Sequence, residues 1–287
     1  MILSLGCSHS NGPYYENDMN DLDHDSWPKM LAKRVNEKYR HIAAPGNGIL
    51  TYYEILKQLE EQNLLHLVDK LLIQHTQELR IIISYPDPND IYEEIENKVF
   101  DMFTTNSELP FIFTVLEQGT VMNLCSTTSL TSKIFEGVIT ESKPDTKTKL
   151  FITEMFQNLH SLLGHNKDGQ NIFNLTHAEI IRMCERNNIK LYEFAWDWSG
   201  TLQYESTKHL NYYVPIVHND KFFILKEFFT RRLAKEAKID YNKKNSKTLE
   251  NMFENYLNFN GHFLLSGEII SHEIIVDILN KQGFFDV

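Results

Sequence analysis

The chain has 287 residues, of which 42% are hydrophobic and 23% charged, and its formal net charge is -11 at pH 7. This composition is typical of a globular protein with a sizeable core, and it contains no run of the roughly 18 apolar residues that a membrane span requires. The acidic balance argues against nucleic acid as the main partner, because binding to its phosphates depends on clustered Lys and Arg.

The cysteines and the first residues favour a reducing, cytoplasmic location. Cys7, Cys125 and Cys184 are odd in number and widely spaced, which fits neither a disulfide framework nor a paired zinc motif. The apolar run at 2–5 is too short for the hydrophobic region of a signal peptide and has no basic residue before it. We therefore expect a cytoplasmic protein that is not secreted.

The first third of the sequence alternates between strand and helix patterns. Their order is strand 2–5, helix 26–36, strand 39–44, helix 49–65 and strand 70–75. Ser26 is the predicted N-cap of the first helix, with Pro28 in its first turn. This alternation is typical of a doubly wound parallel sheet, in which ligands bind beyond the carboxyl ends of the strands.

Residues 86–150 interrupt the alternation. They contain a predicted helix from Asn89 to Phe103 and polar, linker-like stretches, so we interpret them as an insertion or cap within a single domain of residues 1–287. The pattern resumes with helices at 150–163 and 177–187 and a strand at 189–196. Residues 197–258 have no clean period, and the sequence assigns them no role.

The last helix is the clearest one. Ser266 is its predicted cap and Gly283 its predicted end. Six residues form its predicted buried face: Ile269, Ile270, Ile274, Ile275, Ile278 and Leu279. The preceding segment, NFNGHFLL, is then a loop at the start of this helix.

Ser8 is the candidate nucleophile. It follows a strand and Gly6, a combination that predicts a sharp turn with an exposed hydroxyl at the edge of an α/β sheet. A serine attacks only when a base takes its proton, and His262 lies in the loop before the last helix. The amides of Ser8 and Gly46 and the side chain of Thr76 would form an oxyanion hole if their three strands are neighbours.

Four stretches of the chain resemble, in the right order, the four sequence blocks of the SGNH/GDSL hydrolases. They are ILSLGCSHSNG, HIAAPGNGI, LLIQHTQELR and NGHFLLSGEIISHEII, which lie at the two ends of the chain. The resemblance implies a flavodoxin-like, three-layer α/β/α fold and a serine esterase or acylhydrolase that needs no cofactor and no metal. It also implies that Ser8 is the nucleophile, Gly46 an oxyanion donor and His262 the general base.

The chain departs from the family pattern at three positions. Cys7 stands where the family usually has aspartate, Thr76 where it has asparagine, and Asn260 where the acid of the triad is expected. An asparagine orients a histidine but cannot stabilise an imidazolium by charge, and such a change can cost about 10⁴-fold in rate. Either a dyad of Ser8 and His262 suffices, or an acid such as Asp197 replaces the missing one, or the site is weak.

The sequence therefore leaves two classes of function open. One is an ester hydrolase acting on a small-molecule, lipid or acylated-sugar ester; an acyltransferase using the same serine is a variant of it. The other is a catalytically weak or inactive binding or structural module, which Asn260 favours. The oligomeric state is left open as well.

Three further features have simple structural interpretations. We expect Cys7 to be a small packed residue and Trp196 to pack at the end of its strand, with an acyl or sugar subsite as the alternative for Trp196. A group of basic residues indicates a solvated helix face: Arg231, Arg232, Lys235 and Lys238.

Overall fold

The computed structural model describes residues 1–7, 10, 26–35, 37–43, 47–75, 80–85, 101–105, 120–125, 167–196, 222–238, 253–257 and 263–285. The strands in these ranges are β1 (Ile2–Gly6), β2 (Tyr39–Ala43), β3 (Lys70–His75), β4 (Arg80–Tyr85), β5 (Asp101–Thr105), β6 (Thr120–Cys125), β7 (Lys190–Ala195) and β8 (Phe222–Ile224). The α-helices are α1 (Trp27–Arg34), α2 (Ile49–Glu61), α3 (Lys167–Arg186), α4 (Leu225–Glu236) and α5 (Leu265–Lys281). A short 3-10 turn, Leu65–Leu67, lies between α2 and β3.

A six-stranded sheet forms the centre of the structure, in the order β5-β2-β1-β3-β7-β8. The strands from β2 to β8 in this order are parallel, and β5 pairs antiparallel with β2 at the edge. The chain passes from β1 outward to β2 and then back across β1 to β3. Such a reversal is the point at which open α/β sheets form a ligand crevice.

Alternating side chains along the strands separate two cores, one on each face of the sheet. Leu3 and Leu5 of β1 pack with residues of α2 and α3 on the first face. Ile2 of β1 packs with residues of α1, α4 and α5 on the second face. The period of two along a strand produces this division, and helices cover both faces. The prediction of an α/β protein with a parallel sheet is confirmed.

The helices bury apolar stripes and expose polar ones. In α4, Phe229 and Leu233 are buried, whereas Arg231, Arg232 and Lys235 are exposed, which confirms the solvated basic face. Within the described ranges, none of the helices combines the length and apolarity needed to cross a membrane.

In the middle of the chain, the secondary structure of the described residues differs from the prediction. The helix expected to end at Phe103 is wrong at that end, because Asp101–Thr105 is strand β5. The sequence DMFTT contains aromatic and β-branched residues that suit an edge strand, and pairing with β2 outweighs the local helical pattern. The helix expected at 150–163 lies outside the described residues.

Two other strands of this region pair with each other rather than with the main sheet. β4 and β6 form a separate antiparallel pair, with Arg80 beside Cys125.

The helix predicted to begin at His177 is longer and begins at Lys167. The interpretation of 86–150 as an insertion in a single domain stays a prediction.

The start of α5 also corrects a prediction. The helix begins at Leu265, and Ser266 does not cap it; its hydroxyl donates instead to the carbonyl of Asn255 at 2.8 Å. Ile269 is exposed, because the buried stripe runs through Glu268, Ser271, Ile275 and Leu279. Gly283, with a φ of 75°, ends the helix as predicted.

Leu71 provides a test of the core packing. It lies in β3 with none of its surface exposed, so Leu71→Ala leaves a cavity against α2 and α3 and should lower the free energy of unfolding by about 2–5 kcal/mol. Leu175→Ala on α3 is the matched control, because Leu175 is 57% exposed, and its effect should stay within about 0.5 kcal/mol. Urea denaturation measures both, and equal losses would contradict the placement of Leu71.

Candidate functional site

The strands that lead to the predicted oxyanion hole lie side by side. β1 has β2 on one edge and β3 on the other, which meets the condition set by the sequence prediction. The five predicted site residues themselves lie outside the described residues: Ser8, Gly46, Thr76, Asn260 and His262. The residues that flank them define the surroundings of the site.

Ser10 is anchored at the ends of β1 and β3. Its amide donates to the carbonyl of Cys7 at 2.9 Å, and its hydroxyl donates to Oε1 of Gln74. A Cβ built on Gly6 would lie 2.3 Å from the Oγ of Ser10 and 2.6 Å from its Cβ, so a glycine at position 6 is what leaves room for Ser10. The residues on either side of Ser8 and His9 are thus fixed to the sheet. Cys7 is fully buried, as predicted.

His41 of β2 connects the middle of β1 to Ser10. Its Nε2 lies 3.0 Å from the carbonyl oxygen of Ser10, and its Nδ1 lies 2.5 Å from the hydroxyl of Ser4. Because a carbonyl oxygen only accepts, Nε2 carries the hydrogen, and Nδ1 accepts from Ser4. Burial lowers the pKa of His41 to about 4, although hydrogen bonds to the backbone of Ser10 and Ser4 oppose this, so the imidazole is neutral at physiological pH.

The segment after Gly46 is tied to the same strand end. Asn47 is fully buried and precedes α2, and its side-chain amide donates to the carbonyl of Gly6 at 3.3 Å. This hydrogen bond joins Asn47, which lies between β2 and α2, to Gly6, the last residue of β1.

The residue after His262 packs beside the end of β7. The rings of Phe263 and Trp196 are 4.9 Å apart and nearly perpendicular, and both side chains are buried. Trp196 therefore packs in the core, as the simpler interpretation predicted. Asp197, the candidate for the missing acid, lies outside the described residues.

Glu268 joins the start of α5 to the start of α1. Its carboxyl oxygen Oε2 accepts a hydrogen bond from the backbone amide of Trp27 at 2.8 Å, and its side chain has no exposed surface. Ser26 occupies the N-cap position of α1 but makes no side-chain cap bond, so Glu268 takes over this role. Burial raises the pKa of Glu268 to about 8, against the effect of the Trp27 amide.

A second polar group lies at the carboxyl ends of β3 and β7. His75 of β3 and His177 of α3 each place Nε2 at 2.8 Å from the same oxygen, Oε1 of Glu193 in β7. We name these three residues the His-Glu-His cluster. All three side chains are buried, and the two imidazole rings are 5.9 Å apart at an angle of 79°.

The protonation of this cluster follows from its contacts. Burial acts to raise the pKa of Glu193, but the charge and hydrogen bond of His177, together with those of His75, outweigh it and hold the pKa below its ordinary value. Burial lowers the pKa of His75, and the hydrogen bond to Glu193 opposes the shift without cancelling it. Glu193 is therefore an ionised acceptor at neutral pH.

The Trp27–Glu268 contact and the His-Glu-His cluster lie on opposite faces of the sheet. Leu71 and Ile73 alternate onto the α2 and α3 face, and His75 continues this series. Leu72 faces α1, α4 and α5 instead, and Gln74 continues that series. Trp27 and Phe263 belong to the second face, so the Glu268 contact lies across the sheet from the His-Glu-His cluster.

Sequence reasoning missed the His-Glu-His cluster. Glu193 is the lone acid in a strand of otherwise mostly apolar residues, and a carboxylate in such a strand needs a buried partner. That signal points to a buried polar contact, but it does not identify His177 as the partner. The sequence blocks contain Gln74 and Asn47, but nothing in them predicts the hydrogen bonds of these residues to Ser10 and Gly6.

No protein-family model, curated protein or solved structure matches this chain. Its fold and the edge of its sheet define the class as an α/β protein with a parallel sheet and helices on both faces. Any more specific function has to be inferred from the chain's own residues.

The buried carboxyl of Glu268 should make stability fall as pH rises. Its pKa of about 8 in the folded chain lies above its ordinary value of 4.5, so the folded chain holds a proton that the unfolded chain releases in this range. The contribution of Glu268 to the free energy of unfolding is complete below its ordinary pKa of 4.5. It is lost as the pH rises toward 8, with a slope of at most about 1.4 kcal/mol per pH unit. Below about pH 6.5 the lowered pKa values of buried His41 and His75 make stability rise with pH and oppose this effect. Urea denaturation between about pH 6.5 and 8 should therefore show that Glu268→Gln removes the fall in stability.

Glu61→Gln is the matched control for this experiment, because Glu61 is an exposed carboxylate at the end of α2. It should leave the pH dependence of the wild type intact. The interpretation of Glu268 would be refuted by identical pH slopes in the wild type and Glu268→Gln.

Proposed function

We propose that the chain is a serine ester hydrolase of the SGNH/GDSL type. One observation carries this proposal: β2, β1 and β3 are adjacent and parallel, so the segments after them, which contain Gly46, Ser8 and Thr76, begin at one edge of the sheet. That edge includes the strand-order reversal where ligands bind in open α/β sheets.

The strand order also supports the proposal. Its five parallel strands run β2-β1-β3-β7-β8, which corresponds to the flavodoxin-like order 2-1-3-4-5 once β4, β5 and β6 are set aside. The resemblance of the four sequence blocks implies this order. β4 and β6 pair outside the main sheet, in keeping with an insertion between β3 and β7.

Contacts between the two ends of the chain give further support. The ring of Trp27, at the start of α1, contacts the ring of His41 edge-on. His41 in turn donates a hydrogen bond to the carbonyl of Ser10. Trp27 also donates its amide to Glu268, just beyond the segment that contains His262. The flanks of the first and last sequence blocks therefore meet on one face of the sheet.

In the proposed mechanism, Ser8 attacks the ester carbonyl while His262 takes the hydroxyl proton. The amides of Ser8 and Gly46 and the hydroxyl of Thr76 stabilise the oxyanion. His262 then protonates the leaving alcohol, which departs and leaves an acyl group on Ser8. Water activated by His262 hydrolyses the acyl-enzyme and restores the serine. The substrate class is a small-molecule, lipid or acylated-sugar ester.

A binding module is the second candidate function, and the amide at Asn260 is the observation that favours it. Without a carboxylate, the imidazolium of His262 lacks charge stabilisation in the transition state. Such a site would hold an ester or acyl group with little turnover.

Ser8→Ala tests the nucleophile. Hydrolysis of short p-nitrophenyl esters should fall by at least about 10²-fold, because a complete triad contributes about 10⁶-fold and the missing acid already accounts for about 10⁴-fold of it. A fluorophosphonate probe should label the wild type on Ser8 and fail to label the variant. Ser266→Ala is the control, since Ser266 is exposed on α5, and it should keep both activities. Unchanged hydrolysis in Ser8→Ala would exclude the mechanism.

Asn260→Asp separates the two candidate functions. If Asn260 occupies the acid position, the new carboxylate should raise kcat/KM for the same esters by up to about 10⁴-fold. The pH profile should then show a base that titrates near the ordinary range of histidine. No gain in rate, combined with an unlabelled Ser8 in the wild type, would favour the binding module.

A further inference from the structure

The His-Glu-His cluster contains the donor atoms of a transition-metal site. Two imidazole nitrogens and one carboxylate oxygen, from His75, His177 and Glu193, all lie within 4.8 Å of one another. Two histidines and one carboxylate form a common ligand set for catalytic zinc and non-haem iron. The proposed ester hydrolysis uses none of these residues.

The three donor atoms surround a common point. Both Nε2 atoms are 2.8 Å from Oε1 of Glu193, and the planes of the two imidazole rings are inclined at 79° to each other. In a tetrahedral site with bonds of about 2.0–2.1 Å the donor atoms are about 3.3 Å apart, so each of the two nitrogen–oxygen separations would have to open by about 0.5 Å to admit the ion.

Rigid elements hold each of the three ligands. β3 and β7 are paired, with Ile73 beside Glu193 and His75 beside Ala195. Because Ile73 and His75 share a face of the sheet, Glu193 faces the same side as His75. His177 comes from α3, which packs over that face, so a bound ion would join both strands to the helix.

The surroundings of the cluster favour a borderline-soft ion. The aromatic rings of Phe173, Tyr52 and Phe222 lie around His75, with centroids at 5.8, 6.3 and 6.4 Å from the centroid of its ring. A pocket with two imidazoles and few oxygen ligands suits Zn²⁺ better than Mg²⁺ or Ca²⁺, which prefer six or more oxygen atoms. Zn²⁺ also accepts three protein ligands with a water as the fourth.

We propose that His75, His177 and Glu193 bind one Zn²⁺ ion, which fastens β3 and β7 to α3. The site lies on the face of the sheet opposite Phe263 and Glu268. Although His75 directly precedes Thr76, none of the three ligands has a role in the proposed serine chemistry, and zinc binding does not require Ser8.

Zinc titration of the full chain tests the proposal. The protein is first stripped with a chelator and then titrated with Zn²⁺ in competition with a chromophoric chelator. We expect one equivalent bound per chain and a higher Tm in the loaded protein, because the ion binds only the folded state. Co²⁺ in place of Zn²⁺ should give the d–d absorption bands of a four- or five-coordinate site, a readout on the wild type that does not depend on variants.

Variants locate the ion. His177→Gln and Glu193→Gln should each weaken binding by at least about 100-fold, since even loss of a residue behind a ligand costs about 10- to 100-fold. His66→Gln is the control, because His66 is an exposed histidine outside the cluster, and it should bind zinc like the wild type.

Two results would overturn the proposal. One is a wild type that binds no zinc and shows neither Co²⁺ bands nor a change in Tm, which would leave the cluster as a hydrogen-bonded network. The other is binding that survives in both His177→Gln and Glu193→Gln, which would place the ion elsewhere. Fluorophosphonate labelling of Ser8 is measured in the same samples, so failure of the zinc site and failure of the esterase proposal are told apart.

Discussion

The complete burial of β1 is the constraint on which the rest of the structure depends. Every residue from Ile2 to Gly6 is buried, and β1 pairs along both edges, with β2 and with β3. A polar side chain in such a strand needs a partner inside the protein. Ser4 finds it in His41, the residue directly beside it in β2, and His41 extends the contact to Ser10. The inner strand thereby fixes the geometry at its own carboxyl end.

The sheet separates two electrostatic environments at that end. On the α1 and α5 face, His41 is kept neutral and Glu268 is held as a buried carboxyl of raised pKa. On the α2 and α3 face, Glu193 is ionised and is satisfied by two imidazoles. Because backbone and apolar side chains lie between them, each group can be altered without removing the other's partners.

Local patterns in the sequence predict the elements whose structure depends on neighbouring residues. The sequence does not predict the features that depend on contacts between distant parts of the chain. The continuous apolar run at 70–75 identifies β3, because a strand that is buried on both faces is apolar throughout. The apolar stripe at 49–65 identifies α2, because a helix that is buried on one face repeats its apolar residues at helical spacing. The strand at 101–105 depends on pairing with β2, and no local signal contains that pairing. The cap of α1 comes from Glu268 rather than Ser26 for the same reason. Likewise, the sequence indicates a strand end beside Ser8 but does not reveal that Glu193 faces two histidines.

The bond between Trp27 and Glu268 spans 241 positions of the chain, and this separation has a consequence for folding. Closing so long a loop costs conformational entropy, and the bond cannot form until α5 has been synthesised. A chain leaving the ribosome has β1 and α1 long before α5 is available to cover Ile2 and Trp27. The apolar side of the nascent sheet stays uncovered during that interval, when aggregation competes with folding. The order of the chain therefore leaves this face of the sheet without its full cover until α5 has been synthesised.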